Sequence, residues 1–526
     1  MPSSSSIGKP IVCKAAVARE AGTPLVIEEV TVAAPKSNEV RIKILCTSLC
    51  HSDLTLWSLK DPPRFFPRIL GHEAVGIVES VGEGVEEFAE GDFVMPVFLA
   101  NCGECTDCKS KKSNLCTTLP FKLSSMMPRD ETSRFTDSKG EFLYHSLHVS
   151  SFTEYTVVDI AHVTKVDPRI PPNRACLLSC GVSTGVGAAW KTAQVDEGST
   201  VAIFGLGAIG LAVAEGARLC GATKIIGVDV NPAKFETGKK FGLTHFVNPK
   251  ENATKSVSEI VNSFIHYKSN SKYNVINEMT DGGADFCFEC VGMASLVEEA
   301  FACCRKGWGK TVVLGVDKPN SKLTLSSHDV LHNGKILTGS LFGGLKAKTD
   351  ISTLVKWYLD KKLRLDDFVT HEMKFEEINK AFELLIEGKC LRFRSRIERE
   401  SSSSEDQDLQ MTVLGARHSQ PLQRMPPLSH SHNSPLQRRE DRVSPQEPPV
   451  AAIPLTSVPY RAAAAVKAGV FAINSEHNAE PSTSIVGPNV LTASDEELLR
   501  SSVSFLSAFE LFCFNLEFRL NLQLVK

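Results

Sequence analysis

The sequence predicts an α/β protein in which a mostly β domain precedes a doubly wound parallel sheet, with a low-complexity tail at the C-terminus. Three observations predict this class. Short β-rich runs fill roughly the first 180 residues, strands alternate with helical segments from Ser199 onward, and the composition changes near residue 395. Alternating strands and helices are typical of a parallel sheet that is covered on both faces. We therefore expect two folded domains followed by a segment that does not fold.

Five runs in the first part have the composition of strands. β-branched and aromatic residues are frequent in them, and Gly, Pro and Asp separate them. They cover residues 11–17, 25–32, 39–46, 74–81 and 155–158. Such short, regularly interrupted strands predict a mostly β first domain.

The second part begins a different pattern, in which a strand, a helix and a second strand occupy residues 201–204, 211–219 and 224–229. Between the first strand and the helix lies a G-x-G-x-x-G segment formed by Gly205, Gly207 and Gly210. Glycine at these positions permits a tight turn, close approach of the backbone to a pyrophosphate, and close packing of the helix on the strand. The segment predicts a dinucleotide-binding Rossmann domain.

An acidic residue ends the second strand of this unit. Asp229 follows Gly210 by nineteen residues, where a carboxylate can accept hydrogen bonds from both hydroxyls of the adenosine ribose and repels a 2′-phosphate. This position favours NAD over NADP. Lys234, five residues further on, fits equally well as a ribose contact or as a solvated helix lysine.

Composition argues against two classes of function. The chain has 526 residues, with 58 Lys+Arg against 61 Asp+Glu and a net charge of -3, so electrostatics provides no reason to bind nucleic acid or an anionic membrane. Residues 1–6 do not resemble a secretory signal. The apolar stretch 503–522 contains Glu510, Glu517 and Arg519, which are costly at bilayer depth. We expect a cytoplasmic protein with neither nucleic acid nor membrane as partner.

Four of the sixteen cysteines lie within fifteen positions, as Cys102, Cys105, Cys108 and Cys116. In a reducing compartment such a cluster indicates metal binding rather than disulfides. Four thiolates on one loop complete a tetrahedral shell, which is typical of a structural zinc. An iron–sulfur cluster is the alternative, but the usual bacterial run has three residues before its fourth cysteine, and here there are seven.

A second set of candidate ligands is dispersed along the chain, as Cys50, His72 and Cys180. Two cysteines and one histidine are a known ligand set for catalytic zinc, which keeps a fourth position open. Spacing alone does not establish that these three residues converge.

One segment matches a family signature position for position. Gly71-His72-Glu73-x2-Gly76-x5-Gly82-x2-Val85 corresponds to the zinc-containing alcohol dehydrogenases of the medium-chain dehydrogenase/reductase superfamily. Together with the segment 50–53, the four-cysteine loop, the Gly-rich turn and Phe342-Gly343-Gly344, it makes the chain resemble plant alcohol dehydrogenase-like proteins from about residue 8 to 392. The resemblance implies a GroES-like catalytic domain at 1–182, to which 341–394 return, and an NAD-binding Rossmann domain at 183–340.

The resemblance also implies residue roles. It makes Cys50, His72 and Cys180 the catalytic zinc ligands, with Asp53 and Glu73 behind them. The implied proton path runs through Ser52 and His51, and the implied substrate pocket includes Phe98 and Leu147. The residues that match coenzyme contacts are His51, Thr184, Gly205, Gly207, Gly210, Asp229, Lys234, Val291, Phe342 and Arg392.

The activity that the resemblance implies is reversible hydride transfer from a primary alcohol to NAD, by a homodimer with one catalytic and one structural zinc per subunit. Two alternatives stand beside it. One is a catalytically impaired NAD- and zinc-binding homologue with a structural or regulatory role. The other is a glutathione-dependent formaldehyde dehydrogenase, against which the loop at residues 117–121 argues because it lacks the arginine that would bind the glutathione carboxylate.

Two features depart from the family pattern. Residues 262–274 look like an insertion, because 257–260 would join smoothly to 275–279 without them. The tail begins directly after Arg392, so we expect the family's last strand to be missing and a sheet edge to be exposed. Nine Ser, seven Pro and six Gln among residues 401–450 predict that the tail, residues 395–526, is disordered.

Overall fold

The β-rich first part folds into strands in the computed structural model, which describes residues 8–59, 65–252, 280, 282–318 and 320–396. Each of the five predicted runs overlaps an observed strand. The strands before the second domain are β1 Ile11–Ala18, β2 Val26–Val32, β3 Glu39–Leu49, β4 Arg68–Ile69, β5 Glu73–Val81, β6 Phe93–Pro96, β7 Phe135–Asp137, β8 Phe142–Leu143, β9 Tyr155–Asp159 and β10 Val163–Lys165. Those that follow are β11 Thr200–Phe204, β12 Lys224–Val228, β13 His245–Val247, β14 Phe286–Glu289, β15 Lys310–Val313, β16 Ile336–Gly339, β17 His371–Lys374 and β18 Phe393–Arg396.

The described strands form three sheets. One has the order β4-β1-β2-β7-β8, and a second has the order β10-β6-β5-β3-β18-β17, with β9 also paired to β3. The third has the order β13-β12-β11-β14-β15-β16, and all of its pairings are parallel. A mostly β domain and a doubly wound parallel sheet, the predicted fold class, are therefore confirmed.

Helices connect the parallel strands and cover the sheets. The described α-helices are α1 His51–Ser58, α2 Thr106–Lys109, α3 Pro172–Ala175, α4 Gly181–Gly187, α5 Ala208–Leu219, α6 Ala233–Lys240, α7 Ala294–Cys303, α8 Ser327–Asn333, α9 Ala347–Leu359 and α10 Ile378–Ile386. A π-helical segment, Ala188–Ala193, continues α4. Short 3-10 turns occur at Ile160–His162, Cys176–Ser179, Pro249–Asn252, Leu341–Gly344, Asp366–Phe368 and Phe375–Glu377.

The expectation that the last strand is missing was wrong. The four residues Phe393–Arg396 form β18, which pairs antiparallel with β3 and parallel with β17. Pairing uses backbone groups, so a changed sequence can still complete the sheet if alternate side chains fit its buried face. Phe393 and Ser395 are buried, and they supply that face.

Glycines let the helices α4 and α5 pack closely. A Cβ on Gly185 of α4 would lie 2.4 Å from the Ala212 Cβ of α5, and one on Gly216 would lie 2.9 Å from the Val186 Cα. Because no side chain separates the helices at these points, α4 lies directly against the helix that follows the Gly-rich turn. This packing places α4, which contains Thr184 and follows Cys180, next to the parallel sheet.

Two predictions fall outside the described residues. They are the insertion at 262–274 and all but the first two residues of the disordered tail predicted for 395–526, which includes the apolar stretch 503–522. Those first two residues, Ser395 and Arg396, belong to β18, so the prediction was wrong for them. Within the described part of the chain, no helix combines the length and the apolar character that crossing a bilayer requires.

Candidate active site

Three separate elements bring the dispersed ligand candidates together. Cys50 precedes α1, His72 and Glu73 lie at the start of β5, and Cys180 precedes α4. One ligand atom from each of the four residues lies within 4.8 Å of the others, and all four residues are buried. The structure thus places Cys50, His72 and Cys180 in one cluster, which spacing could not establish.

Asp53 orients the histidine of this cluster. Its carboxylate accepts hydrogen bonds from the backbone N–H groups of Cys50 at 3.1 Å and Gly71 at 3.0 Å, and its Oδ1 lies 2.9 Å from His72 Nδ1. A carboxylate at Nδ1 fixes the proton on that nitrogen and leaves Nε2 as a ligand. His72 Nε2 is buried and has no hydrogen-bond partner among the described residues, which fits a metal ion at this point.

Of the two thiols in the cluster, Cys50 has the character of a metal ligand, whereas its hydrogen bond to Cys180 and burial raise the pKa of Cys180 well above the usual range. A hydrogen bond from the Cys180 thiol lowers the pKa of Cys50 well below its usual range, against the opposing effect of burial, and the Arg392 guanidinium lowers it further. The thiolate is the form of cysteine that binds a metal. The environment of Cys50 therefore favours the ligating form.

Glu73 and Arg392 form a buried ion pair beneath the cluster. Glu73 Oε2 lies 3.2 Å from Arg392 Nε, and Glu73 Oε1 accepts a hydrogen bond from the Gly181 N–H at 3.0 Å. Burial raises the pKa of Glu73 to about 7, although the Arg392 guanidinium opposes the shift. Arg392 Nη2 also lies 3.8 Å from Cys50 Sγ. The structure thus joins Arg392 to the ligand cluster, and the implied pyrophosphate contact stays a prediction.

The predicted proton path begins beside the cluster. Ser52 Oγ lies 3.9 Å from Cys50 Sγ. His51 is the first residue of α1 and is exposed, and its backbone carbonyl accepts a hydrogen bond from the Thr55 hydroxyl at 3.0 Å. Ser52 thus lies next to a candidate ligand and His51 lies at the surface, whereas the proton path itself stays a prediction.

Aromatic rings form a wall next to the cluster. The ring of Phe98 meets those of His72, Phe121 and Phe342 edge to face, at centroid distances of 6.1, 5.9 and 5.3 Å. Sequence reasoning named Phe98 as a pocket residue and Phe342 as a coenzyme contact, but it missed Phe121 in this role. The run of apolar residues in the loop after the fourth cysteine is a signal that could have indicated this role.

Leu147, the other predicted pocket residue, lies in a backbone segment of unusual conformation. Leu147, His148 and Ser150 all have positive φ, at 49°, 58° and 52°, a region that residues other than glycine rarely adopt. All three are buried. Packing around the segment thus holds Leu147 in a strained conformation, of the kind that clusters at functional sites.

The four clustered cysteines form a second ligand set. Their Sγ atoms all lie within 4.8 Å of one another, and Cys108 and Cys116 are buried. Backbone N–H groups donate hydrogen bonds to the sulfurs: those of Glu104 and Cys105 to Cys102 Sγ, that of Cys108 to Cys105 Sγ, and that of Leu119 to Cys116 Sγ, each at 3.4 Å. Such donors stabilise thiolates, so the loop fits a tetrahedral ion.

A lysine that sequence reasoning missed anchors this loop. Lys346 Nζ donates hydrogen bonds to the backbone carbonyls of Asp107 at 3.2 Å, Cys108 at 2.7 Å, and Ser110. The side-chain amide of Asn114 donates to the carbonyls of Leu341 and Leu345 at 2.9 and 3.2 Å. These contacts join the four-cysteine loop to the Phe342 turn, more than two hundred residues away in sequence.

The Gly-rich turn has the geometry that its sequence predicts. Gly205 has a φ of +92°, and a Cβ there would lie 2.5 Å from Val291 Cγ2. A Cβ on Gly210 would lie 1.9 Å from the Gly205 carbonyl oxygen, whereas one on Gly207 would meet no atom within 4 Å. The turn is tight at Gly205, closely packed at Gly210 and open at Gly207, as a dinucleotide pyrophosphate requires.

Asp229 lies at the edge of this turn. Its Oδ2 accepts a hydrogen bond from the Leu206 N–H at 2.8 Å, and its Oδ1 accepts one from the Asn231 N–H at 2.9 Å. Lys234 Nζ lies 3.0 Å from Asp229 Oδ2. Lys234 is thus paired with Asp229, and its contact with the adenosine ribose stays a prediction.

Three other residues predicted as coenzyme contacts, Val291, Thr184 and Phe342, lie beside glycines in tight turns. Val291 is 46% exposed and touches the Gly205 position. Phe342 and Gly343 form a left-handed turn over α4, where a Cβ on Gly343 would lie 2.6 Å from the Thr184 carbonyl oxygen. The backbone of Thr184 therefore lies in close contact with the turn that contains Phe342 and Gly343.

Comparison with known proteins identifies the family of the chain. Residues 36–168 match the family described as "Alcohol dehydrogenase GroES-like domain", and residues 208–360 match "Zinc-binding dehydrogenase". The chain is similar to Alcohol dehydrogenase-like 7 of Arabidopsis thaliana, with 67% identity over 385 residues that cover 73% of this chain and 95% of that protein. It is 59% identical to Alcohol dehydrogenase-like 1 of the same organism, over 74% of this chain and 97% of that protein.

A solved structure shows the same likeness at lower identity. Benzyl alcohol dehydrogenase from Acinetobacter calcoaceticus superposes with a TM-score of 0.63 at 28% sequence identity, over 74% of this chain and 100% of that one.

Proposed function

Because this chain belongs to the zinc-containing alcohol dehydrogenase family of medium-chain oxidoreductases, we propose that it catalyses the reversible, NAD-dependent oxidation of primary alcohols to aldehydes. One observation carries the proposal. His72 Nε2 is buried without a described hydrogen-bond partner, in a cluster with the Sγ atoms of Cys50 and Cys180. An unpaired buried nitrogen is costly unless a ligand such as a metal ion satisfies it.

In this proposal Cys50, His72 and Cys180 hold the catalytic zinc. The bound metal would act as a Lewis acid toward the alcohol oxygen, and NAD would accept the hydride. Asp53 keeps the proton on His72 Nδ1, and the Glu73–Arg392 pair supports the turn that carries Cys180. Ser52 accepts the proton of the alcohol and passes it toward His51 and the solvent.

The chain's other residues orient the reactants and exclude water. Phe98 and Leu147 would line the substrate pocket, where apolar side chains exclude water and thereby strengthen electrostatic interactions. The open space at Gly207 would admit the coenzyme pyrophosphate, and Asp229 with Lys234 would contact the adenosine ribose. Holding alcohol and coenzyme together in this way converts an encounter between two molecules into a single oriented step.

We also propose a cytoplasmic homodimer that pairs through the edge of the parallel sheet. The strand β16 ends the described strand order, and an unpaired edge is a template for pairing with a second copy. Large apolar side chains are exposed near it, with Trp308 57%, Leu331 77% and Ile336 47% exposed. Sixteen cysteines, four of them in a candidate metal loop, suit a reducing compartment.

The experiment that tests the function measures NADH formation at 340 nm with a panel of primary alcohols, together with zinc content per chain. We expect about two zinc ions per chain and turnover with at least one primary alcohol. Turnover that required glutathione would indicate the formaldehyde dehydrogenase class instead. Two zinc ions and NADH binding without turnover on any alcohol or aldehyde would contradict the proposal and favour a structural or regulatory role.

Removing one thiol of the four-cysteine loop tests the proposed structural zinc. In Cys108→Ala, zinc content should fall by one ion per chain and the melting temperature by roughly 10 °C, because structural zinc contributes about 10 kcal/mol in small zinc-binding units. Elemental analysis and calorimetry measure both quantities. Lys109→Ala, in the same loop, is the matched control and should change neither. Unchanged zinc content in Cys108→Ala would contradict the assignment.

A further inference from the structure

Glu289 is a buried carboxylate that the proposed mechanism does not use. It ends β14, directly beside Phe204 at the end of the neighbouring strand β11, and its exposure is 0%. It forms no ion pair with any basic side chain that the structure describes. Its Oε1 accepts hydrogen bonds from the backbone N–H groups of Val291 and Gly292, both at 2.8 Å. Burial raises its pKa above the usual range for a glutamate.

The second carboxylate oxygen lies between two loops. Glu289 Oε2 has no hydrogen-bond partner in the described part of the chain, and a Cβ on Gly315 would lie 2.7 Å from it. The same Cβ would lie 2.0 Å from the Gly292 nitrogen. The Glu289 backbone carbonyl accepts hydrogen bonds from the N–H groups of Leu314 and Gly315 at 2.9 and 3.1 Å. Glu289 therefore joins the loop after β14 to the loop after β15.

The first of these loops borders the Gly-rich turn. The Cys290 N–H donates a hydrogen bond to the Phe204 carbonyl at 2.9 Å. A Cβ on Gly205 would lie 2.5 Å from Val291 Cγ2. Ligands of open parallel sheets bind beyond the carboxyl ends of the strands, which is the edge that Glu289 occupies. A shift of residues 290–292 would therefore change the shape of the coenzyme cleft at Gly205.

We propose that Glu289 is a positioning residue for coenzyme binding: its carboxylate fixes the backbone of Val291 and Gly292 against the Gly-rich turn. The inference rests on the proposed NAD-dependent function and deepens it. A carboxylate can accept two N–H groups on one oxygen at a strand end, whereas an aliphatic side chain leaves both N–H groups without this acceptor. Such donors would draw the loop toward solvent and away from Gly205.

The chain offers a matched control at the other end of the same strand. Asp285 immediately precedes β14, and its carboxylate accepts hydrogen bonds from the Thr200 N–H at 2.9 Å and the Trp308 indole N–H at 3.0 Å. It thus joins neighbouring segments much as Glu289 does, but at the amino end of the sheet, away from the Gly-rich turn. Loss of Asp285 should affect stability without affecting the coenzyme cleft.

The experiment compares Glu289→Ala, Glu289→Gln and Asp285→Ala in the full chain. The readouts are the Kd for NADH by fluorescence, the KM for NAD and kcat, and amide hydrogen exchange of residues 290–293. We expect Glu289→Ala to raise the Kd for NADH and the KM for NAD roughly tenfold, with kcat within about threefold of wild type. Exchange at 290–293 should become faster.

Rescue by the conservative variant separates positioning from general stability. Glu289→Gln retains an oxygen that can accept both N–H groups, so its Kd should stay within about threefold of wild type. Asp285→Ala should lower the melting temperature but leave the Kd and the exchange of 290–293 unchanged. Equal losses in Glu289→Ala and Asp285→Ala, or an unchanged Kd in Glu289→Ala, would overturn the inference.

The outcomes also distinguish this inference from the proposed function. If wild type binds NADH but oxidises no alcohol, the dehydrogenase proposal fails, and the comparison of Kd values still decides the role of Glu289. If wild type binds no NADH, both are overturned.

Discussion

Cys50→Ala is expected to lower kcat/KM for alcohol oxidation by at least about a thousandfold, because a bound metal contributes several kcal/mol of transition-state stabilisation. The substitution removes one of three proposed zinc ligands from a cluster whose ligand atoms lie within 4.8 Å of one another. Zinc content should fall from about two ions to about one per chain. Steady-state kinetics and elemental analysis on the same sample measure both effects.

Cys220→Ala is the matched control for Cys50→Ala. Cys220 follows α5 and is partly exposed, outside both cysteine-containing ligand clusters. Its replacement should leave zinc content and activity unchanged. Full activity in Cys50→Ala, or loss of zinc without loss of activity, would refute a catalytic role for the metal at this site.

Asp229→Asn is expected to lower kcat/KM for NAD by roughly ten- to a hundredfold, because hydrogen bonds to a charged group contribute about 1.5–3 kcal/mol. The carboxylate lies beside the Gly-rich turn, bonded to the Leu206 N–H and paired with Lys234. Removing its charge also removes the repulsion of a 2′-phosphate and leaves Lys234 without its anion. The activity with NADP should therefore rise relative to that with NAD, as measured by initial rates with each coenzyme.

Glu236→Gln is the control for coenzyme selectivity. Glu236 is an exposed carboxylate of α6 that pairs with Lys239, and it does not contact the Gly-rich turn. Its replacement should leave the ratio of NAD to NADP activity unchanged. An Asp229→Asn variant with the wild-type preference for NAD would show that another residue selects the coenzyme.

Features that depend on neighbouring residues were predictable from the sequence. The three glycines of the Gly-rich turn lie close to one another and to the following helix. Their spacing alone therefore indicates the tight turn and the close packing that the structure has at Gly205 and Gly210. The four-cysteine loop is likewise contiguous, and its sulfurs meet. The alternation of strands and helices predicted the parallel sheet for the same reason.

Contacts between distant segments were not predictable in this way. Arg392 lies against Glu73 and Cys50. Lys346 anchors the four-cysteine loop although it is more than two hundred residues away in sequence. Nothing in the residues around either position indicates these partners. The strand Phe393–Arg396 was expected to be absent because its residues depart from the family, yet its backbone completes the sheet beside β3.

The sequence by itself determined the fold class, the Gly-rich turn and the four-cysteine loop, because periodicity and spacing act over a few residues. The dispersed ligand set rested on the family resemblance. Only the tertiary structure decided that Cys50, His72 and Cys180 converge, that Asp53 holds His72 and that Glu289 joins two loops beside Gly205. The physical reason is that hydrogen bonds and ion pairs act over about 3 to 4 Å. Folding brings residues within that range from positions that their separation along the chain does not reveal.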